Sequence, residues 1–194
     1  MRESLRCAAV LFVLQEVFMK VVVITGSAHG NGTSAYLAQR FIEGASEAGH
    51  EVFRFDAAFK SVHPCIGCEK CHRTGSCAFQ DDMNELNPHL FEADAVVFVS
   101  PIYYYGINAQ IKAVMDRFYA HDDRLHAKKK AVLMLTMADT TTESAEGPLA
   151  SFRGMTSYLG WDVAGTVVAL NTETLDLLEN SPYPEQAYLL GKAL

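Results

Sequence analysis

Four of the five cysteines fall within residues 65–77, as Cys65, Cys68, Cys71 and Cys77. Two x2 spacings followed by a longer one can wrap thiolates around a single [4Fe–4S] cubane, as bacterial ferredoxins do with their first three cysteines. Structural zinc favours two separated pairs, which this spacing is not. The same thiols can also stay free or close a disulfide. The chain is otherwise cysteine-poor and too long to need disulfide staples, so a reducing cytoplasm with a metal or redox role is the expectation.

Two further segments carry chemistry-bearing residues. Gly26-Ser27-Ala28-His29-Gly30-Asn31-Gly32-Thr33-Ser34 offers glycines for close backbone approach and hydroxyl donors at Ser27, Thr33 and Ser34. A helix opening near Thr33 adds the positive end of its dipole, so the loop can cradle a phosphate with neutral donors. It lacks the Gly-Lys-Ser/Thr ending of a P-loop, and its glycines are spaced too widely for a dinucleotide fingerprint. Asp56 stands where a ribose-binding acid would sit in that rival reading. A plain helix cap after a glycine turn is the bland alternative. The second segment, Ser100-Pro101-Ile102-Tyr103-Tyr104-Tyr105-Gly106, gathers flat rings suited to a planar heterocycle. Packing beneath the loop or at a dimer contact explains the same tyrosines.

These loops need strands and helices to hold them. Lys20–Thr25, Glu51–Phe55, Ala93–Ser100, Ala131–Thr136 and Asp162–Ala169 read as short strands, the first and third of them buried. Thr33–Ala48, Met83–Glu92, Asn108–Tyr119, Ser144–Leu159 and Pro184–Leu194 read as helices, with Gly49 and Gly160 as stops. The alternation predicts an α/β fold: a doubly wound five-stranded parallel sheet with helices on both faces. Ligands of such sheets bind beyond the carboxyl ends of the strands, where strand order reverses. The irregular stretch 57–82 holding the cysteines is long enough to suggest function. Met137-Ala138-Asp139-Thr140-Thr141-Thr142 is either a ligand-edge loop or a helix entry capped by Thr141 or Thr142.

A formal net charge of −7 argues against a nucleic-acid partner. Lys128-Lys129-Lys130 reads as a solvated edge, and His121 and His126 as solvated side chains of a polar turn. No stretch is long and apolar enough to span a membrane. Residues 1–18 contain the apolar run Cys7–Leu14 and read as an N-terminal extension, either a helix or a translated leader, with the domain proper over 19–194.

The pairing of Thr25-Gly26-Ser27…Asn31-Gly32-Thr33-Ser34 with Ser100-Pro101-Ile102-Tyr103…Gly106…Lys112…Asp116-Arg117 resembles the NAD(P)H-dependent FMN reductases and multimeric flavodoxins. The cysteine segment within that frame is similar to the iron–sulfur flavoproteins. The resemblance implies a flavodoxin-like fold, FMN as cofactor, NAD(P)H as donor, an unidentified acceptor, and a homo-oligomer. By it Ser27, Asn31, Gly32, Thr33 and Ser34 hold the FMN phosphate, while Pro101, Ile102, Tyr103, Tyr104 and Gly106 hold the isoalloxazine. Ala28-His29-Gly30 departs from a family pattern in which proline and basic residues are common. The cofactor carries redox chemistry itself, so no catalytic acid or base is named.

Overall fold

A computed structural model describes residues 18–194; residues 1–17, and with them most of the N-terminal extension, lie outside the described part. Strand β1 (Lys20–Thr25) leads to helix α1 (Thr33–Glu47), then β2 (Glu51–Asp56), α2 (Lys70–Thr74) and α3 (Met83–Glu92). Next come β3 (Ala95–Tyr103), β4 (Gly106–Ile107), α4 (Ala109–Asp116) and α5 (Asp122–Leu125). The chain closes with β5 (Lys130–Thr136), α6 (Glu146–Leu159), β6 (Asp162–Ala169), α7 (Leu175–Glu179) and α8 (Tyr183–Lys192). The five long strands are parallel, as the alternation predicts, and lie in the order β2-β1-β3-β5-β6.

Side chains alternate across these strands, so the sheet builds a core on each face. Val22, Ile24, Val96, Phe98 and Leu133 join α3, α4 and α6 through Met83, Leu86, Ile111, Val114 and Phe152. Val21, Val23, Val97, Val99 and Met134 join α1 and α8 through Leu37, Phe41, Ala45 and Ala187. Gly49, at φ +87°, takes the left-handed turn that releases the chain from α1 into β2. Met19 is buried, and its carbonyl accepts the Glu51 N–H at 2.9 Å, tying the entry of β1 to that of β2.

The sheet has one strand more than expected. β3 runs on through Pro101 to Tyr103 and then folds back as β4, pairing Ile102 with Ile107 and Tyr103 with Gly106. Tyr104 (φ +48°) and Tyr105 (φ +62°) form the two-residue tip with both residues left-handed, which is type I′ turn geometry. Asparagine and glycine usually signal that turn; two tyrosines gave no warning of it. The lysine run also differs from a solvated edge. Lys129 is 3% exposed, and its ammonium donates to Ala93 O at 2.6 Å and Phe91 O at 3.3 Å. It thus satisfies carbonyls at the carboxyl end of α3, where a cation also complements the helix dipole.

Helices α1 and α8 approach closely because both carry glycine at the crossing. A methyl on Gly44 would overlap Tyr188 O, and one on Gly191 would overlap Phe41 O. Gly44→Ala is therefore expected to destabilise the fold by about 1–3 kcal/mol through overpacking, despite alanine's better helix propensity. Urea unfolding of the two proteins measures this, and an unchanged midpoint would show that the helices can move apart freely.

Candidate functional site

The loop after β1 is fixed from below by Asn108. A methyl on Gly26 would overlap the Asn108 amide, which donates to Gly26 O, so only glycine fits there. Asn108 is 2% exposed, and its backbone N–H donates to Ser100 Oγ at 3.0 Å. The ends of β1 and β3 are thus bolted together through one side chain. Ser27 is buried, and its Oγ accepts the His29 N–H at 3.1 Å. Asn31 is exposed, Gly32 and Thr33 are half-buried, and Gly32 sits at the N-cap of α1 with no side chain capping the helix. The positive end of a 15-residue helix therefore faces the loop without a side-chain partner. Ser34 differs from its neighbours: it is buried, with its hydroxyl 2.7 Å from Thr136 Oγ1 at the end of β5.

Asp56, the acid of the rival dinucleotide reading, is held by its own sheet edge. Its Oδ1 accepts from Thr25 Oγ1 at 2.5 Å and from Arg54 Nε at 2.9 Å.

The tyrosine hairpin stands across from the glycine loop. Pro101 is buried, Ile102 and Gly106 are half-buried, and Tyr103 is exposed. Tyr104 is fully exposed and packs against nothing. Gly147 in α6 makes room for the hairpin, since a methyl there would press on Tyr105 O at 2.7 Å. Ile102, Tyr104 and Tyr105 share an open groove with Met137, Ala138, Asp139 and Ser144 from the loop after β5. In that loop Asp139, not Thr141 or Thr142, organises the turn. It accepts from Thr140 N at 2.7 Å, from Thr141 N at 3.3 Å and from the Ser144 hydroxyl, and these bonds hold its carboxyl below its ordinary pKa.

The cysteine segment lies beyond β2. Gly67 (φ +66°) and Glu69 (φ +58°) take left-handed backbone on either side of Cys68, and Gly75 (φ +73°) does so after α2. These reversals fold the segment back on itself. Cys65, Cys68, Cys71 and Cys77 all line one small apolar-walled cavity, together with Glu69, Phe79, Arg117 and Tyr119. All four are free thiols. Among the described residues no three His, Cys, Asp or Glu side chains converge on a single metal-ion position. Tyr119 closes the outer side by donating to Glu69 Oε1 at 3.2 Å.

A buried ion pair anchors this segment. The Arg117 guanidinium reaches Asp81 through Nη1 at 2.6 Å and Nη2 at 3.1 Å, and Nη1 also donates to His63 O at 2.9 Å. Both side chains are 3% exposed. Asp81 further accepts the N–H groups of His63 and Met83 at 3.0 and 3.2 Å. Burial works to raise the Asp81 pKa, but these hydrogen bonds, that of Arg117 first, outweigh it and hold the carboxyl below its usual range. Nothing local in the sequence pairs Arg117 with Asp81, because 36 positions separate them. His121, expected to be solvated, is half-buried edge-on against Phe91 at 5.1 Å, and burial lowers its pKa. His126 is exposed.

A doubly wound parallel sheet whose glycine loop and aromatic hairpin flank the point of strand reversal defines the flavodoxin-like class. Within it, the chain belongs to the NADPH-dependent FMN reductase family, whose sequence profile matches residues 19–174. It is 37% identical over 99 residues to an iron–sulfur flavoprotein of Methanocaldococcus jannaschii, a match covering 51% of each chain. With an iron–sulfur flavoprotein of Clostridioides difficile it shares 29% identity over 135 residues, covering 68% of this chain and 58% of that protein. The chain thus spans about half the length of the curated relatives it matches. Among solved structures, an NAD(P)H:quinone oxidoreductase from Methanothermobacter marburgensis superimposes with a TM-score of 0.67 at 20% identity, over 91% of this chain and 96% of that one. That likeness is one of fold.

The ion pair makes a pH-dependent contribution with a definite sign. Because the folded carboxyl has a depressed pKa, its stabilisation is present above the unfolded value near 4 and is lost as pH falls through the folded one. Asp81→Asn leaves Arg117 buried without its counter-charge. It is expected to cost about 3–5 kcal/mol at pH 7 and to flatten the acid limb of the stability profile. Denaturant titrations from pH 3 to 7 check both effects; parallel profiles for the two proteins would contradict the assignment.

Proposed function

We propose that this chain is an FMN-dependent oxidoreductase that takes hydride from NAD(P)H and passes electrons to a second acceptor. The observation carrying this reading is the pairing of the uncapped α1 N-terminus and its glycine loop with the tyrosine hairpin, on either side of one strand reversal. Thr33, Gly32, Asn31 and Ser27 are the donors for a terminal phosphate, with Ser34 acting from behind through its contact with Thr136. Pro101, Ile102, Tyr103, Tyr104 and Gly106 line the ring. When bound there, FMN supplies hydride acceptance from a nicotinamide and onward transfer of electrons. The protein's part is to hold the phosphate, present flat rings and keep the hairpin in place. No side chain is assigned proton transfer.

The cysteine cavity supports a finer reading, in which Cys65, Cys68, Cys71 and Cys77 hold a [4Fe–4S] cluster. A cubane takes one thiolate at each of four irons, so it calls for donors spread around a volume rather than aimed at a point. Four free thiols around one apolar-walled cavity have that character. They also fit a reducing, cytoplasmic setting. The same cavity favours a second function, an electron carrier between protein partners. Direct oxidation of NAD(P)H at a useful rate separates the enzyme from the carrier.

Two variants test the flavin site. Thr33→Val removes one hydroxyl hydrogen bond to a charged acceptor, expected to cost about 1.5–3 kcal/mol of FMN affinity. Tyr104→Ala is expected to weaken FMN about tenfold while leaving the flavin-free protein's unfolding midpoint unchanged. Fluorescence titration with FMN reads both, and FAD or NAD as the tightest ligand would sink the assignment.

For the cysteines, anaerobically reconstituted protein is expected to contain about four irons and four sulfides per chain. Cys68→Ser should abolish the iron and leave FMN bound, because the flavin loops follow β1 and β3 whereas the cysteines follow β2. Reconstituted protein without iron would reduce the reading to a plain FMN reductase.

A further inference from the structure

The cysteine cavity has a cation in its wall. Arg117 lines it beside Cys77 and is nearly inaccessible to water. Its two terminal nitrogens are occupied by Asp81 and His63, but Nε is buried and has no hydrogen-bond partner. An orphaned donor on a buried charge is expensive, and such a group calls for an explanation. Burial disfavours the charged guanidinium. The Asp81 carboxylate, bonded to both terminal nitrogens, offsets that. The other walls are Ile66, Ala78 and Ala120, the Phe79 ring, whose centroid lies 5.4 Å from the guanidinium, and Glu69, whose carboxylate accepts the Tyr119 hydroxyl at 3.2 Å; none of them is a hydrogen-bond partner of Nε.

A neutral occupant would leave Arg117 as it is; an anionic one would complete it. Four thiolates around iron and sulfide give an anionic assembly whose negative charge grows by one on reduction. Hydrogen bonds to cluster sulfurs and nearby charge are among the factors that set the potential of such centres. Resting on the cluster reading above, we propose that Arg117 is a positioning residue that stabilises the reduced state of the group held by the four cysteines, with Asp81 setting how strongly it does so. Asp81 does not line the cavity, so the ion pair presents its positive end inward. Electron addition at the cluster is then eased by a charge already in place, and no proton need move with it.

The test compares midpoint potentials of anaerobically reconstituted protein, followed by the bleaching of cluster absorbance in a dye-mediated titration. Asp81→Asn leaves the Arg117 charge uncompensated and is expected to make the cluster easier to reduce than in the wild type. Adding Arg117→Gln to Asp81→Asn removes that charge and leaves a neutral pair. It should make reduction harder by about tenfold relative to Asp81→Asn alone, which for one electron is about 59 mV. Arg117→Lys, made in the otherwise unchanged protein, keeps the charge and withdraws the unpartnered Nε–H. It should shift the potential downward by about threefold in the equilibrium constant, and it serves where the double variant does not fold. Opposite shifts from Asp81 and Arg117 are not expected of a purely structural pair. Iron-loaded variants with unchanged potentials overturn the proposal but leave the cluster reading intact. A wild-type protein that takes up no iron overturns the cluster reading, and the role given to Arg117 with it.

Discussion

In a parallel sheet all strands leave the same edge, and adjacent loops part only where the direction of winding reverses. Here the chain winds outward from β1 to β2, then returns past β1 to β3 and onward to β6. The loops after β1 and β3 therefore diverge, and the space between them is what the glycine loop and the tyrosine hairpin share. Asn108 sets the distance between them, joining Gly26 to Ser100 across the gap. Because a buried amide tolerates few unmet hydrogen bonds, this joint fixes the floor of the crevice more firmly than apolar packing would.

The cysteine segment hangs from the outer side of the same edge and has little core of its own: Cys65, Cys68 and their neighbours are exposed or half-buried. Its attachment is electrostatic. Arg117 follows directly after α4, which begins beside the hairpin, so the residue that anchors the cysteine loop is a direct continuation of the helix that starts at the crevice. The two candidate centres are thus mounted on one rigid piece. A buried pair is costly to dehydrate, and a well-packed apolar substitute would often serve stability as well.

Much of this was legible before any coordinates. Strongly β-branched runs such as Lys20–Thr25 and Asp162–Ala169 announced their strands, and Gly49 and Gly160 marked helix ends through their left-handed backbones. The glycine, tyrosine and cysteine loops declared themselves because unusual residues clustered locally. What escaped was non-local. Lys129 looks like one member of a basic run until α3 places its carbonyls above it. Ser34 looks like its neighbour Thr33 until the first turn of α1 directs it towards Thr136. Arg117 and Asp81 are ordinary polar residues in sequence, and only the fold makes them partners. The β4 hairpin escaped for another reason: its tip uses residues that local rules do not favour.

That tip has a consequence of its own. Left-handed backbone costs an L-residue about 1–2 kcal/mol, and Tyr104 and Tyr105 adopt it side by side. The surrounding strand pairing, with the carbonyl of Tyr105 lodged over Gly147, absorbs that strain as the chain folds. The ring of Tyr104 is thereby held out into solvent before anything arrives. A planar ligand settling there need not order the backbone beneath it, so little conformational entropy is surrendered at the moment of association. Stability forgone by the folded chain returns as readiness to bind.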